Sequence, residues 1–169
     1  MLIDERRILD TVRAQVLDLV PGIRATVLRS ADKQWAWMLQ VSASGSLPRH
    51  LYWGSSQWWA TQFHAFGGLP PVSVVEPIAS ATDEKQAVDR GVVVALAAAG
   101  SSALDGVNHI SGESDRDNSR DRSALVTFGA ALNALEKIQD SGAADAETRS
   151  LARALRGEWL ITRLDDLQG

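Results

Sequence analysis

Apolar residues recur at intervals of three and four positions in five stretches of the chain, which is the spacing of an amphipathic α-helix. The stretches are residues 3–20, 57–66, 82–99, 120–139 and 146–167. In the first, the apolar positions are Ile8, Leu9, Val12, Val16, Leu19 and Val20. Pro21 and Gly22 end this helix, because proline cannot continue the hydrogen-bond ladder and glycine accepts the left-handed conformation that closes a helix.

The last two predicted helices each carry one apolar stripe. The stripe of the first consists of Leu125, Phe128, Leu132 and Leu135. That of the second consists of Leu151, Leu155 and Trp159, which recur every four residues. Since the short segment 140–144 joins the two helices, we expect an antiparallel helical hairpin. Leu160, Leu164 and Leu167 extend the apolar surface further, so the hairpin is predicted to self-associate or to dock a partner.

An alternating pattern predicts strands in the first half of the chain. Trp35, Trp37, Leu39 and Val41 alternate with Gln34, Ala36, Gln40 and Ser42, as in a half-buried strand. Residues 23–29 and 49–53 form strands on either side of it, so we expect an antiparallel three-stranded meander. Residues 72–76 predict a fourth strand, which Pro77 ends or confines to a sheet edge.

These elements together predict an α+β fold. It has a small, mainly antiparallel sheet, a three-stranded meander plus a fourth strand, packed by helices and followed by the C-terminal antiparallel helical hairpin. Residues 1–99 form an α-β-β-β-α-β-α domain, and residues 120–169 form the hairpin, packed on the same domain. Residues 100–119 lack periodicity and are rich in Gly, Ser, Asn and Asp, so we expect a long, mobile loop.

Composition and charge exclude several classes of protein. The 169 residues contain no cysteine, which rules out disulfides, thiolate metal sites and cysteine nucleophiles. The formal net charge is -4, with no block of Lys or Arg, and this argues against nucleic-acid binding. The excess of Arg over Lys and the abundance of Ala are typical of a GC-rich bacterial or phage genome.

No membrane segment or secretory signal is expected. The longest uninterrupted apolar run, residues 92–99, is far shorter than the roughly 20 residues of a membrane-spanning helix. The first seven residues mix acidic and basic side chains, whereas a signal peptide begins with basic residues followed by an apolar stretch. We therefore expect a cytoplasmic protein.

Aromatic residues are concentrated between positions 35 and 66. The simplest interpretation is that most of them form the core between the meander and the helix at 57–66, where Trp59 is expected in the core and Trp58 at its margin. The alternative is that part of the cluster lines a groove for a ligand ring or a partner side chain. The candidate binding residues are Trp35, Trp37, His50, Tyr52, Trp53 and Trp58.

Sequence motifs supply no catalytic residue, metal site or cofactor. The three histidines, at positions 50, 64 and 109, are not at metal-ligand spacing. The acidic segment 113–121 does not fit a calcium loop, because Arg120 occupies the position of the turn glycine and Val126 that of the bidentate glutamate. Gly91, within a predicted helix, is best explained by close packing against a neighbour.

Taken together, these features indicate a non-catalytic protein-interaction module, such as an accessory subunit, a chaperone or an immunity-type binder. It would use the aromatic-rich surface and the C-terminal helices to bind a protein partner or a second copy of itself. The alternative is a small-molecule-binding protein or an enzyme with a tryptophan-lined pocket beside the sheet, in which His50 or Tyr52 is the polar group. Partner, ligand and reaction are not encoded in any motif.

Overall fold

The computed structural model describes residues 5–29, 37–43, 49–52, 83–110 and 118–161. The strands are β1 (Ile23–Arg29), β2 (Trp37–Ala43) and β3 (Arg49–Tyr52). The helices are α1 (Glu5–Leu19), α2 (Glu84–Ile110), α3 (Asn118–Gln139) and α4 (Ala146–Ala154), and α4 continues as a π-helical segment, Leu155–Ile161. Most of the described residues are therefore helical.

The prediction of an α+β fold, with a three-stranded meander plus a fourth strand as its sheet, is wrong. The described sheet is small: an antiparallel ladder of β1 and β2, to which β3 adds four residues at one edge. Among the side chains of this sheet that the structure describes, the buried ones are Ala25, Leu39, Val41 and Ala43. The core therefore depends on the helices. The predicted helix at 57–66 and strand at 72–76 lie outside the described residues.

Helix α2 is the centre of the fold. Every residue from position 91 to 104 is buried, because α1, β2, β3, α3, α4 and the π-helical segment all pack against this helix. This stretch consists of apolar and small residues all the way round, and a helix without a polar face is stable only when other elements surround it. Glu84–Leu104 is long and apolar enough to cross a membrane, but 94% of its most apolar window is buried inside the protein. It is packed as the core helix of a globular protein.

The predicted long loop at 100–119 is wrong for residues 100–110, which continue α2. Gly100, Ser101 and Ser102 disfavour a helix by propensity, but all three are buried in it. Their small size allows close packing: a Cβ atom on Gly100 would lie 3.0 Å from Cδ1 of Leu160. The Ser102 hydroxyl accepts a hydrogen bond of 2.9 Å from the backbone N–H of Ala43. Tertiary contacts therefore override the weak helix propensity of these three residues. Residues 111–117 of the predicted loop lie outside the described residues.

The first helix and its end agree closely with the predicted pattern. Helix α1 ends at Leu19, and Gly22 in the turn that follows has φ +77°, a conformation that glycine adopts without strain. The residues buried from this part of the chain are Ile8, Leu9, Val12, Val16 and Val20. Leu19, expected on the same face, is 42% exposed at the end of the helix.

The C-terminal helices have a different register from the one predicted. Leu151 and Leu155 are buried four residues apart, but the next buried leucine is Leu160, five residues on. A π-helix has i to i+5 hydrogen bonds, so it turns the fifth residue much closer to the same face than an α-helix does. The surface expected to drive self-association is therefore covered at all three leucines, whereas Leu164, Leu167 and the side chain of Trp159 lie outside the described residues.

Candidate functional site

The strand pairing places some of the predicted binding residues at positions on opposite faces of the sheet. His50 pairs with Gln40 and Tyr52 with Met38, so these two β3 positions share one sheet face. Trp37, at the start of β2, alternates onto the other face, which is that of the buried Leu39. Trp35, Trp53 and Trp58, together with the side chains of Trp37, His50 and Tyr52, lie outside the described residues, so the tryptophan-lined pocket stays a prediction.

An ionic cluster around the buried Arg90 joins α2 to the start of α4. Arg90, which is only 2% exposed, donates hydrogen bonds from Nη2 to Asp145 Oδ2 at 3.0 Å and to Glu147 Oε2 at 3.1 Å. The Thr148 hydroxyl donates a hydrogen bond to the second Asp145 oxygen. Burial raises the pKa of Asp145, but the hydrogen bonds from Thr148 and Arg90 and the positive charge of Arg90 outweigh it, so this pKa lies below its ordinary value. The cluster fastens two helices together.

Two open cavities flank the turn that connects α1 to β1. The smaller, of 320 Å³, lies between α1, α2 and the connection from α3 to α4. Its charged lining residues, Lys85 and Asp89, already form an ion pair of 2.7 Å, and Lys85 also donates to the carbonyl oxygen of Ala143. The charged groups of this cavity are therefore engaged within the fold.

The larger cavity, of 390 Å³, is a groove beside the first half of α3. We call it the α3 groove. Its lining residues are Pro21, Gly22, Ala43, Arg122, Ser123, Ala124, Val126 and Thr127. They come from three segments that are far apart in the sequence: the turn after α1, the end of β2 and helix α3.

Hydrogen bonds and close contacts hold the walls of the α3 groove in place. The Thr127 hydroxyl donates to the carbonyl oxygen of Pro21 at 2.9 Å. A Cβ atom on Gly22 would lie 2.9 Å from that same hydroxyl, so only glycine allows this approach without displacement. On the opposite wall, the hydrogen bond from Ala43 to Ser102 anchors the end of β2 to the central helix. The groove is thus built from anchored backbone.

Two consecutive apolar side chains of α3 are exposed: Val126, at 61%, lines the groove, and Leu125, at 46%, lies outside it. The prediction that Leu125 belongs to a buried stripe is wrong. The buried residues of α3 are Thr127, Phe128, Ala131, Ala134 and Leu135. At about 100° per residue, Leu125 lies about 120° from the centre of that face. The small alanines allow the close approach to α2, and they decide which face of α3 is buried.

The chemistry of the α3 groove is suited to binding. Its described lining is mostly apolar, with Arg122 as its charged residue and Ser123 and Thr127 as its hydroxyls. It includes no carboxylate or imidazole that could transfer a proton. Elsewhere in the described part of the chain, no group of three His, Cys, Asp or Glu residues could hold a metal ion.

Sequence reasoning did not find the α3 groove. One local signal was present, because Val126 lies off the predicted stripe of α3 yet directly follows the apolar Leu125. The other lining residues carry no such signal, since Pro21, Gly22 and Ala43 reach the groove only through folding. Comparison with known proteins adds nothing to this assignment: no family model, no curated protein and no solved structure matches the chain.

Proposed function

We propose that this chain is a non-catalytic protein-interaction module that binds its partner through the α3 groove and the exposed Val126 that lines it. The observation that carries the proposal is the 61% exposure of Val126 in the lining of an anchored, mostly apolar groove. Single exposed apolar residues on a flat surface are common, whereas an exposed apolar side chain within a mostly apolar concavity is typical of a binding site. The C-terminal helices thus remain the proposed interaction element, with α3 providing the surface.

The location of the exposed apolar side chains favours an external partner over self-association through the leucines of α4 and its π-helical continuation. Leu151, Leu155 and Leu160 are covered by the rest of the fold, so they offer no surface to a second copy. The exposed apolar side chains, Leu125 and Val126, lie instead on α3. We also propose a cytoplasmic location, which is supported by the burial of the apolar α2 span within the fold.

Small-molecule binding is the second candidate function. The observation in its favour is the groove volume of 390 Å³, which falls at the lower end of the roughly 300 to 1,000 Å³ that is usual for ligand pockets. The lining supplies few polar groups to orient a ligand. A mostly apolar groove lined by the exposed Val126 better suits side chains of a protein partner.

Two matched α3 variants test the proposed function. Val126→Asp places a carboxylate in the groove, and Asn133→Asp places one at another exposed position of the same helix. Proteins cross-linked to the wild-type chain in cell extract are identified, and the purified partner is then titrated against all three chains by calorimetry. We expect wild-type affinity for Asn133→Asp and at least a tenfold loss for Val126→Asp. Equal affinity for the two variants would refute the assignment of the site.

A separate measurement addresses the second candidate. Native mass spectrometry of the wild-type chain, purified from its source cells, shows whether a small molecule stays bound. A stoichiometric adduct that is retained by Asn133→Asp and lost in Val126→Asp would support ligand binding in the α3 groove in place of a protein partner. A chain free of adducts that binds a protein partner through Val126 would support the interaction module.

A further inference from the structure

We propose that the partner segment bound by the α3 groove is acidic and amphipathic, with an apolar side chain in the groove and a carboxylate against Arg122. The inference rests on the proposed function and adds the chemistry of the partner. It is carried by the charge of the groove, because Arg122 is the one charged residue among the described residues that line it.

Several basic residues of the described helices are already paired. Arg7, Lys85, Arg90 and Arg156 each have a carboxylate within ion-pair distance, supplied by Glu84, Asp89, Asp145 and Glu136 respectively. Arg122 is exposed and makes no ion pair or hydrogen bond within the part of the chain that the structure describes. Its guanidinium group is therefore available to a carboxylate from outside.

The position of Arg122 sets the spacing that a partner must have. Arg122 and Val126 are four residues apart on α3, so they are neighbours on the same face, with Cβ atoms about 6 Å apart. A partner that places a Leu, Ile, Met or Phe side chain against Val126 must therefore present its carboxylate close by. Residues three or four apart on a helix, or two apart on a strand, meet this requirement.

Arginine is well suited to this recognition. Its planar group binds a carboxylate through two parallel hydrogen bonds, and it is less strongly hydrated than lysine. The chain as a whole carries a formal net charge of -4, so its overall field does not attract an acidic segment. Local recognition by Arg122 supplies the preference for acidic residues, and binding should weaken as salt screens the pair.

Selection from a random peptide library tests the inference with peptides in place of the unidentified partner. Phage that display 12-residue peptides are selected on the full-length chain and counter-selected on Val126→Asp, so that only clones that use the groove remain. We expect these clones to combine a large apolar residue with Asp or Glu within four positions. Repetition of the selection on Arg122→Glu should replace the acidic residues with Lys or Arg.

The affinity of one selected peptide, synthesised and fluorescently labelled, provides the quantitative test. Arg122→Glu should weaken binding at least tenfold, Arg122→Lys less so, and high salt should weaken binding to the wild-type chain. Arg153→Glu is the matched control: it makes the same change in net charge at an exposed position of α4 outside the groove, and should leave the affinity within twofold. Circular dichroism confirms that each variant is folded.

The two possible failures are distinct. If clones depend on Val126 but show no acidic preference, or if Arg122→Glu binds them as well as the wild-type chain does, the inference about partner charge is wrong and the interaction site stands. If no clone distinguishes the wild-type chain from Val126→Asp, the proposed function itself is contradicted.

Discussion

Gly91 of α2 lies directly against Val12 of α1. A Cβ atom on Gly91 would be 2.7 Å from Cγ2 of Val12, closer than real side-chain carbons approach. Both residues are buried, and the valine side chain has little rotational freedom in a helix. The sequence interpretation of Gly91 as a position of close packing is confirmed, and the contact fixes how near the first helix comes to the central one.

Replacement of this glycine should therefore destabilise the protein, in spite of the better helix propensity of alanine. We expect Gly91→Ala to lower the free energy of unfolding by about 1 kcal/mol or more, because overpacking of a core costs about 1 to 3 kcal/mol. Gly129→Ala is the control, since nothing lies within 4 Å of its Cβ position in α3. It should stabilise the protein by about 1 kcal/mol. Urea denaturation measures both, and stabilisation by Gly91→Ala would contradict the contact.

The faces that the C-terminal helices bury predict a large difference between two leucines. Leu160 is fully buried, so Leu160→Ala should lower the free energy of unfolding by about 2 to 5 kcal/mol. Leu125 is 46% exposed, and Leu125→Ala should cost less than about 1 kcal/mol. Thermal or urea denaturation provides the comparison. Similar losses for the two variants would contradict the burial of Leu160 and the exposure of Leu125.

The ionic cluster at Arg90 should depend more on one carboxylate than on the other. Asp145 is 31% exposed and bonds both Arg90 and Thr148, so Asp145→Asn should cost about 2 kcal/mol. Glu147 is 60% exposed and solvent screens its interaction, so Glu147→Gln should cost under about 1 kcal/mol. Free energies of unfolding from urea titrations at neutral pH decide the order, and a greater loss for Glu147→Gln would show that the cluster is organised differently.

Acid should remove the contribution of Asp145. Its pKa is lowered by folding, so its stabilisation is fully present above the ordinary value of 3.8 and is lost as the pH falls through the folded-state pKa. The difference in unfolding free energy between the wild-type chain and Asp145→Asn should therefore be constant from pH 7 to about 5 and shrink below pH 3.8. Urea titrations across this range measure it. A difference that grows in acid would mean that folding raises this pKa.

The sequence by itself determined the elements that depend on nearby residues. The apolar spacing of α1, the turn at Pro21 and Gly22, strand β1 and the limits of α3 were all predicted to within about two residues. Amphipathic spacing and turn residues act over a few positions, so their effect can be seen in a single stretch of chain. The presence of the C-terminal helices was predicted for the same reason.

Only the tertiary structure decided where those elements bury their surfaces. The continuation of α2 through Gly100 and Ser102, the buried position of Leu160, the exposure of Leu125 and the α3 groove all arise from contacts between distant segments. The bond from Thr127 to Pro21 spans 106 residues, and that from Ala43 to Ser102 spans 59. Propensity and periodicity describe one segment at a time. Propensity and periodicity therefore do not show which neighbouring element packs closely against a small residue, or which apolar side chain stays exposed.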